Sequence, residues 1–266
     1  MKINNYFFPF LFLLGLGCKV YYQPTSSAQQ KYEVKASNQL DTISDIGKLL
    51  KPYRDSLSFT MNAVIGYATG KFEKAKPSGS LGNLVVDILM QQARKIDTNT
   101  YGAIYNYGGL RINQIPEGDI TRGKIFELLP FDNELVLIEV NGKILTQWLQ
   151  HIAKSGGWPV SIECSFYYDS LYNFQLQNDT IFIERENGDV EMSINRRTLD
   201  SNITYLIATN DYIANGGDNC DFLKGLKRKS TGKLIRDIVL DRMMFKPNLY
   251  PDDYQRIILQ NPLQSK

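Results

Sequence analysis

Two hydrophobic periods interleave along this chain, and no fold built from a single kind of element accommodates both. Leu81, Leu84, Val85, Ile88 and Leu89 recur at the 3.6-residue spacing of a buried helix face, with serines before them to serve as an N-cap. Leu145, Trp148, Leu149 and Ile152 repeat that period, as does GKLIRDIVLDRMMF from Gly232. Between these stretches lie short runs of strand formers, NELVLIEV from Asn133 and TYLIATN from Thr204. TIFIERE and DVEMSI flank Asn187–Gly188, the dipeptide that best fits a two-residue hairpin turn. Helices mixed with hairpins predict an α+β domain with a mixed sheet and flanking helices, not a regular βαβ winding.

The N-terminus is of another kind. Lys2 precedes the apolar run YFFPFLFLLGLG, Tyr6 to Gly17, which ends at Cys18. This is the order of an export signal, too short for a comfortable membrane span, and GLGC resembles a lipoprotein box in which Cys18 is acylated. Residues 1–17 are thus expected to be a signal peptide and 18–37 a polar, lipid-anchored tether. The anchor places the protein outside the cytoplasm, facing periplasm or cell surface. The folded domain is expected over residues 38–247, opening with Ile43, Ile46, Leu50, Tyr53 and Leu57 at helical spacing. Residues 248–266, with two prolines, read as an extension. The chain has 266 residues, 43% of them hydrophobic, so it can bury a real core; its formal net charge of +2 advertises no nucleic acid partner.

Much chemistry is absent. There is one histidine, His151, and the cysteines are scattered, so neither a Cys/His zinc site nor a histidine-rich dimetal site can be assembled from this chain. By helical angle His151 lies off the Leu145–Ile152 stripe and is expected at the surface. No phosphate-binding GxxxxGK[ST] loop occurs. The densest basic run, KGLKRKSTGK from Lys224, reads as a solvated loop, with a docking patch as the alternative. In an exported protein, Cys164 and Cys220 are equally consistent with a disulfide and with two free thiols.

One loop invites a functional reading. In DYIANGGDNCDF, Asp211 to Phe222, a strand gives way to Tyr212, two glycines and Asp218. Such a loop can hold a flat, polar molecule, because glycine lets ligand approach the backbone closely; a tight surface turn capped by its aspartate is the alternative. Together with LGNLVVDIL (from Leu81), NYGGLR (from Asn106), GDITRGKIFELLPFDNEL (from Gly118) and VNGKIL (from Val140), NDYIANGGD resembles, in order and spacing, the C-terminal domain of the 5′-nucleotidase family. The resemblance covers residues 41–245. It implies a nucleotide- or nucleoside-binding domain, in which Phe131 and Tyr212 would stack on the base and Asp218 would hold the ribose. Asn106 and Arg111 would contact sugar or phosphate, and the glycine pairs Gly108–Gly109 and Gly216–Gly217 would keep the pocket walls low.

Two departures accompany the resemblance. Where the family has a further substrate-binding arginine, this chain has Ala75, flanked by Lys74 and Lys76, and Ser161 to Glu163 stands where the family tends to place a glycine close to the base. The family's calcineurin-like metallophosphatase domain is also not expected here, since signal and tether run directly into the C-terminal domain. The resemblance therefore implies no catalytic residue and no cofactor on this chain. Two divalent metal ions would sit in a separate phosphatase partner, and hydrolysis would depend on it. The alternatives are a surface lipoprotein that captures nucleotides alone, and an interaction protein whose pocket has decayed.

Overall fold

The computed structural model describes residues 45–168 and 199–259, together with short strand segments at 174–177, 184–186, 189–191 and 196–197. Chain contacts divide it into residues 1–49 and 50–266, the boundary falling inside the first helix. The elements up to the middle of the chain are α1 (Asp45–Met61), β1 (Val64–Ala68), β2 (Phe72–Glu73), α2 (Ser80–Ile96), β3 (Thr100–Ala103), β4 (Gln114–Ile115) and β5 (Gly118–Thr121). Next come α3 (Arg122–Leu128), β6 (Glu134–Asn141), α4 (Gly142–Lys154), β7 (Phe166–Tyr168), β8 (Phe174–Gln177), β9 (Glu184–Glu186), β10 (Asp189–Glu191) and β11 (Arg196–Arg197). The last are β12 (Thr204–Asn210), α5 (Asp211–Ala214), β13 (Arg228–Leu234), α6 (Ile235–Phe245), β14 (Asn248–Leu249) and β15 (Ile257–Leu259).

The central sheet has the order β13-β6-β12-β3, with β6 antiparallel to both neighbours and β12 parallel to β3. It is mixed, as the alternation of periods requires. Because side chains alternate across a strand, β6 sends Leu135 and Leu137 to one face and Val136, Ile138 and Val140 to the other. The first face packs with the Leu81, Val85 and Leu89 stripe of α2 and with Val239 and Met243 of α6; the second packs with Leu145, Trp148, Leu149 and Ile152 of α4. This two-sided burial explains why NELVLIEV is an almost unbroken apolar run.

The remaining strands form separate small sheets instead of extending this one. β14-β1-β5 and β11-β8-β7-β15 are again mixed, and β9 pairs with β10 in the antiparallel register Glu186↔Asp189 expected of the hairpin, although Asn187–Gly188 itself lies outside the described residues.

Several expectations are corrected. Ser80 does not cap α2: the N-cap is Gly79 without a side-chain bond, while Ser80 accepts a hydrogen bond from the Glu73 amide at 3.0 Å. Ser78 accepts from the amides of Arg256 and Ile257 instead, so these serines tie neighbouring segments to α2. The basic run is a loop only at 224–227, since Arg228–Leu234 forms the largely exposed edge strand β13; an edge strand faces solvent along one side and tolerates lysines that a central strand would not. The final helix accordingly starts at Ile235, not Gly232. Asn141 does more than turn the chain, because its side chain accepts from the Ile144 amide at 2.9 Å and N-caps α4. The helix beginning at Asp45 does form, but Leu50, Tyr53 and Leu57 on its stripe are exposed, so helical period there marks amphipathicity and not core.

The expected extension is integrated. β14 runs parallel to β1 and β15 parallel to β7, and Arg256, only 2% exposed, grips both oxygens of Asp87 at 2.6 and 2.7 Å and Asp252 at 2.7 Å. Residues 1–44, with Cys18, lie outside the described residues, and no described helix is long and apolar enough to cross a membrane.

Candidate functional site

The pocket forms where the central strands hand over to loops. β3 ends and passes through Ile104 and Tyr105 to Asn106 and a single 3-10 turn, Tyr107–Gly109. α3 is N-capped by Thr121, whose hydroxyl accepts from the Lys124 amide at 3.3 Å, and it stops before Pro130, leaving Phe131 in the loop that leads into β6. β12 ends at Asn210, whose side-chain oxygen accepts from the Ile213 amide at 2.8 Å and caps α5, the helix that carries Tyr212.

These three loops enclose a cavity of about 420 Å³ lined by Asn106, Gly108, Gly109, Arg111, Phe131, Asn133, Tyr212 and Asp218. Residues up to 112 positions apart in sequence meet here. Phe131 and Tyr212 are each 46% exposed, which sets Phe131 outside the core and leaves both rings with surface to cover. The Arg111 guanidinium lies 5.5 Å from the centre of the Phe131 ring.

Asp218 is held from both sides. Tyr212 donates its hydroxyl to Oδ1 at 2.9 Å, and Asn106 Nδ2 donates to Oδ2 at 2.8 Å. The bond to Asp218 pushes the Tyr212 hydroxyl above its ordinary pKa. Asn106 is itself oriented by Asn210 Nδ2, which donates to its Oδ1 at 2.8 Å. Asp218 adopts a left-handed backbone at φ 50°, which aspartate tolerates better than most residues. A carboxylate has about four lone-pair positions, so two remain for ligand hydroxyls.

The glycine pairs divide their work differently from expectation. Gly108 and Gly109 do line the cavity, whereas Gly216 and Gly217 shape the Tyr212 loop from behind. Gly216 has φ +89°, and a Cβ at Gly217 would stand 2.4 Å from the Tyr212 ring.

Lys74 and Lys76 stack their ammonium groups against Tyr107, 4.0 and 4.8 Å from the ring centre. Lys74 donates to the Leu110 carbonyl at 2.7 Å, and its pKa is lowered by burial, then by Arg111 and Lys76. The lysines flanking Ala75 are thus beside the pocket without lining it. Ser161 to Glu163 also does not line the cavity: Ser161 is buried and accepts from the Ala103 amide at 3.0 Å, and Glu163 pairs with Arg94 at 2.9 Å. Asn133 was missed by sequence reasoning; it lies two residues past Phe131 within a motif whose aromatic drew the attention.

His151 is half-buried on the flank of α4 and not freely exposed, with its ring edge-on to Trp158 at 5.5 Å and Phe222 at 6.1 Å. Cys164 and Cys220 are buried free thiols, which decides between the two readings of the cysteines. Among the described residues no three His, Cys, Asp or Glu side chains converge as metal ligands.

An α+β domain with two exposed aromatic rings, a preorganised carboxylate and a cation around one cavity is a binding domain for a flat, polar ligand. Residues 64–225 match the family model described as the 5′-nucleotidase C-terminal domain, and the chain belongs to that family. It is 30% identical over 181 residues to the trifunctional nucleotide phosphoesterase protein YfkN of Bacillus subtilis, covering 64% of this chain and 12% of that protein. Over 222 residues it is 24% identical to the protein UshA of Escherichia coli, covering 82% and 36%. The 5′-nucleotidase precursor from Thermus thermophilus has the same fold, with a TM-score of 0.66 at 24% identity, over 81% of this chain and 43% of that one. The chain thus spans less than half the length of each of these relatives.

Proposed function

We propose that this chain is the nucleotide-gripping half of a split 5′-nucleotidase, exported and held at a membrane through Cys18. What carries the reading is the convergence of Phe131, Tyr212, Asp218, Asn106 and Arg111 on one cavity. A purine slides between the two rings, where each stacked face contributes about 1–3 kcal/mol. The ribose hydroxyls donate to the free lone pairs of Asp218, and Arg111 offers its forked donors to sugar or phosphate oxygens. A separate metallophosphatase supplies two divalent ions and the attacking water; this chain binds and orients the nucleoside end of the substrate. A stand-alone capture protein would use the same pocket without that partner. The formed cavity speaks against a decayed pocket.

The test is calorimetric titration of the chain with AMP and adenosine, alongside a phosphate-release assay with and without a calcineurin-like phosphatase from the same cell. Binding without turnover, and turnover on adding the phosphatase, is the expected result. Hydrolysis by the chain alone would refute the split arrangement, and binding with no effect of any phosphatase would favour capture.

A further inference from the structure

We propose that Arg236, in the first turn of α6, is a positioning residue that presents the Phe131 ring to the base by gripping the loop on both sides of it. The proposal rests on the nucleotide-binding reading above for its ligand, while its geometry belongs to the fold.

Phe131 needs such a hold. Its loop runs from Leu129, where α3 has ended, to Asn133, just before β6, and Pro130 within it has no amide to donate. Among the described residues Phe131 makes no hydrogen bond of its own, and its ring is half-exposed. A ring on an untethered loop must be ordered when the ligand arrives, and that cost is subtracted from what stacking supplies.

The start of α6 provides the tether. Ile235 donates its amide to the Asn133 carbonyl at 2.9 Å. Arg236 Nη1 donates to the carbonyls of Leu129 at 3.4 Å and Pro130 at 3.3 Å, and its Nη2 donates to Asp132 Oδ1 at 2.6 Å. Leu129, Pro130, Asp132 and Asn133 are thus all held from one helix turn, and the residue left between them is the one whose ring lines the cavity. A planar guanidinium can serve carbonyls on one flank and a carboxylate on the other at the same time; a single ammonium cannot.

The tether itself is firmly seated. Ile235, Ile238, Val239 and Met243 of α6 are buried in the core, and the Arg236 guanidinium lies 4.4 Å from the centre of the Phe126 ring of α3, which packs against that core. The Arg236 side chain is only 11% exposed. Its entropy is therefore already spent in the folded protein, before any ligand binds.

The experiment is Arg236→Met in the full chain, which keeps an apolar stem against Phe126 and deletes every donor. Two readouts are taken. The first is the affinity for AMP and for ribose 5-phosphate by calorimetry. The second, in the free protein, is the NMR Overhauser contact between the Phe131 ring and the side chain of Arg111, whose guanidinium lies 5.5 Å from the ring centre. The expected result is AMP affinity lowered roughly three- to tenfold, a part of the roughly 5- to 150-fold that a stacked ring supplies, with ribose 5-phosphate unaffected and the Overhauser contact weakened. In a Phe131→Ala background, Arg236→Met should cost AMP nothing more, since both substitutions act through one ring. A purely structural role would weaken both ligands alike and add to Phe131→Ala; either result overturns the proposal, as does an undiminished Overhauser contact. Should Arg236→Met fail to fold, Arg236→Lys takes its place: it keeps the charge but cannot span both flanks, so the same selective loss of AMP is expected, and unchanged AMP affinity overturns the proposal. Failure of the unmutated chain to bind AMP would refute the nucleotide reading alone, and the Overhauser contact would still decide whether Arg236 holds the ring.

Discussion

Tyr212 contributes a ring and a hydroxyl, and a two-step substitution separates them. Tyr212→Phe removes the 2.9 Å bond to Asp218 but leaves the stacking face. Because the side chain is 46% exposed, water can replace that bond; the lost interaction is expected below the range for a buried charged acceptor, about 1 kcal/mol, and it returns a lone pair of Asp218 to the ligand. AMP affinity should change by less than about fivefold. Tyr212→Ala removes the ring as well, and with it about 1–3 kcal/mol of stacking, or roughly 5- to 150-fold in affinity. Titration with ribose 5-phosphate, which has no base, supplies the control, and its affinity should be nearly indifferent to the loss of the ring. The reasoning is refuted if Tyr212→Phe weakens AMP as much as Tyr212→Ala does, or if Tyr212→Ala weakens ribose 5-phosphate and AMP equally.

Gly217→Ala would drive a methyl group to 2.4 Å from the Tyr212 ring; it should lower AMP affinity about as far as Tyr212→Ala while leaving ribose 5-phosphate binding intact, measured in the same titrations. Arg256→Met strips the buried partner from Asp87 and Asp252, and urea unfolding should show a loss of about 1–3 kcal/mol, since the carboxylates left behind are 38% and 47% exposed and water partly compensates them. Tyr105 has a folded pKa of about 12, above its unfolded value, so its contribution is fully present below pH about 10 and is lost as pH rises toward about 12. That contribution is about 3 kcal/mol, and Tyr105→Phe should remove this part of the alkaline slope in unfolding experiments.

What could be read along the chain was what short-range chemistry decides. The stripe of α2, the whole of β12 and the buried run of β6 were legible because helical and strand periods are local properties of a backbone. Phe131, Tyr212, Asp218, Asn106 and Arg111 were legible as candidates through the ordered motifs around them. Only the tertiary structure brought them to one cavity, because their meeting depends on how β3, β6 and β12 pair, and pairing is settled by contacts between distant residues. The same holds for the misreadings. The exposed face of α1 and the burial of α2 carry the same period, and only the presence or absence of a facing element distinguishes them. The lysines of β13 belong to a strand because β6 has an open edge to accept it, and Ser78 and Ser80 serve neighbouring segments because those segments fold back on α2. Asn133 had no motif of its own to announce it; it joins the site only because the loop after α3 folds against the ends of β3 and β12.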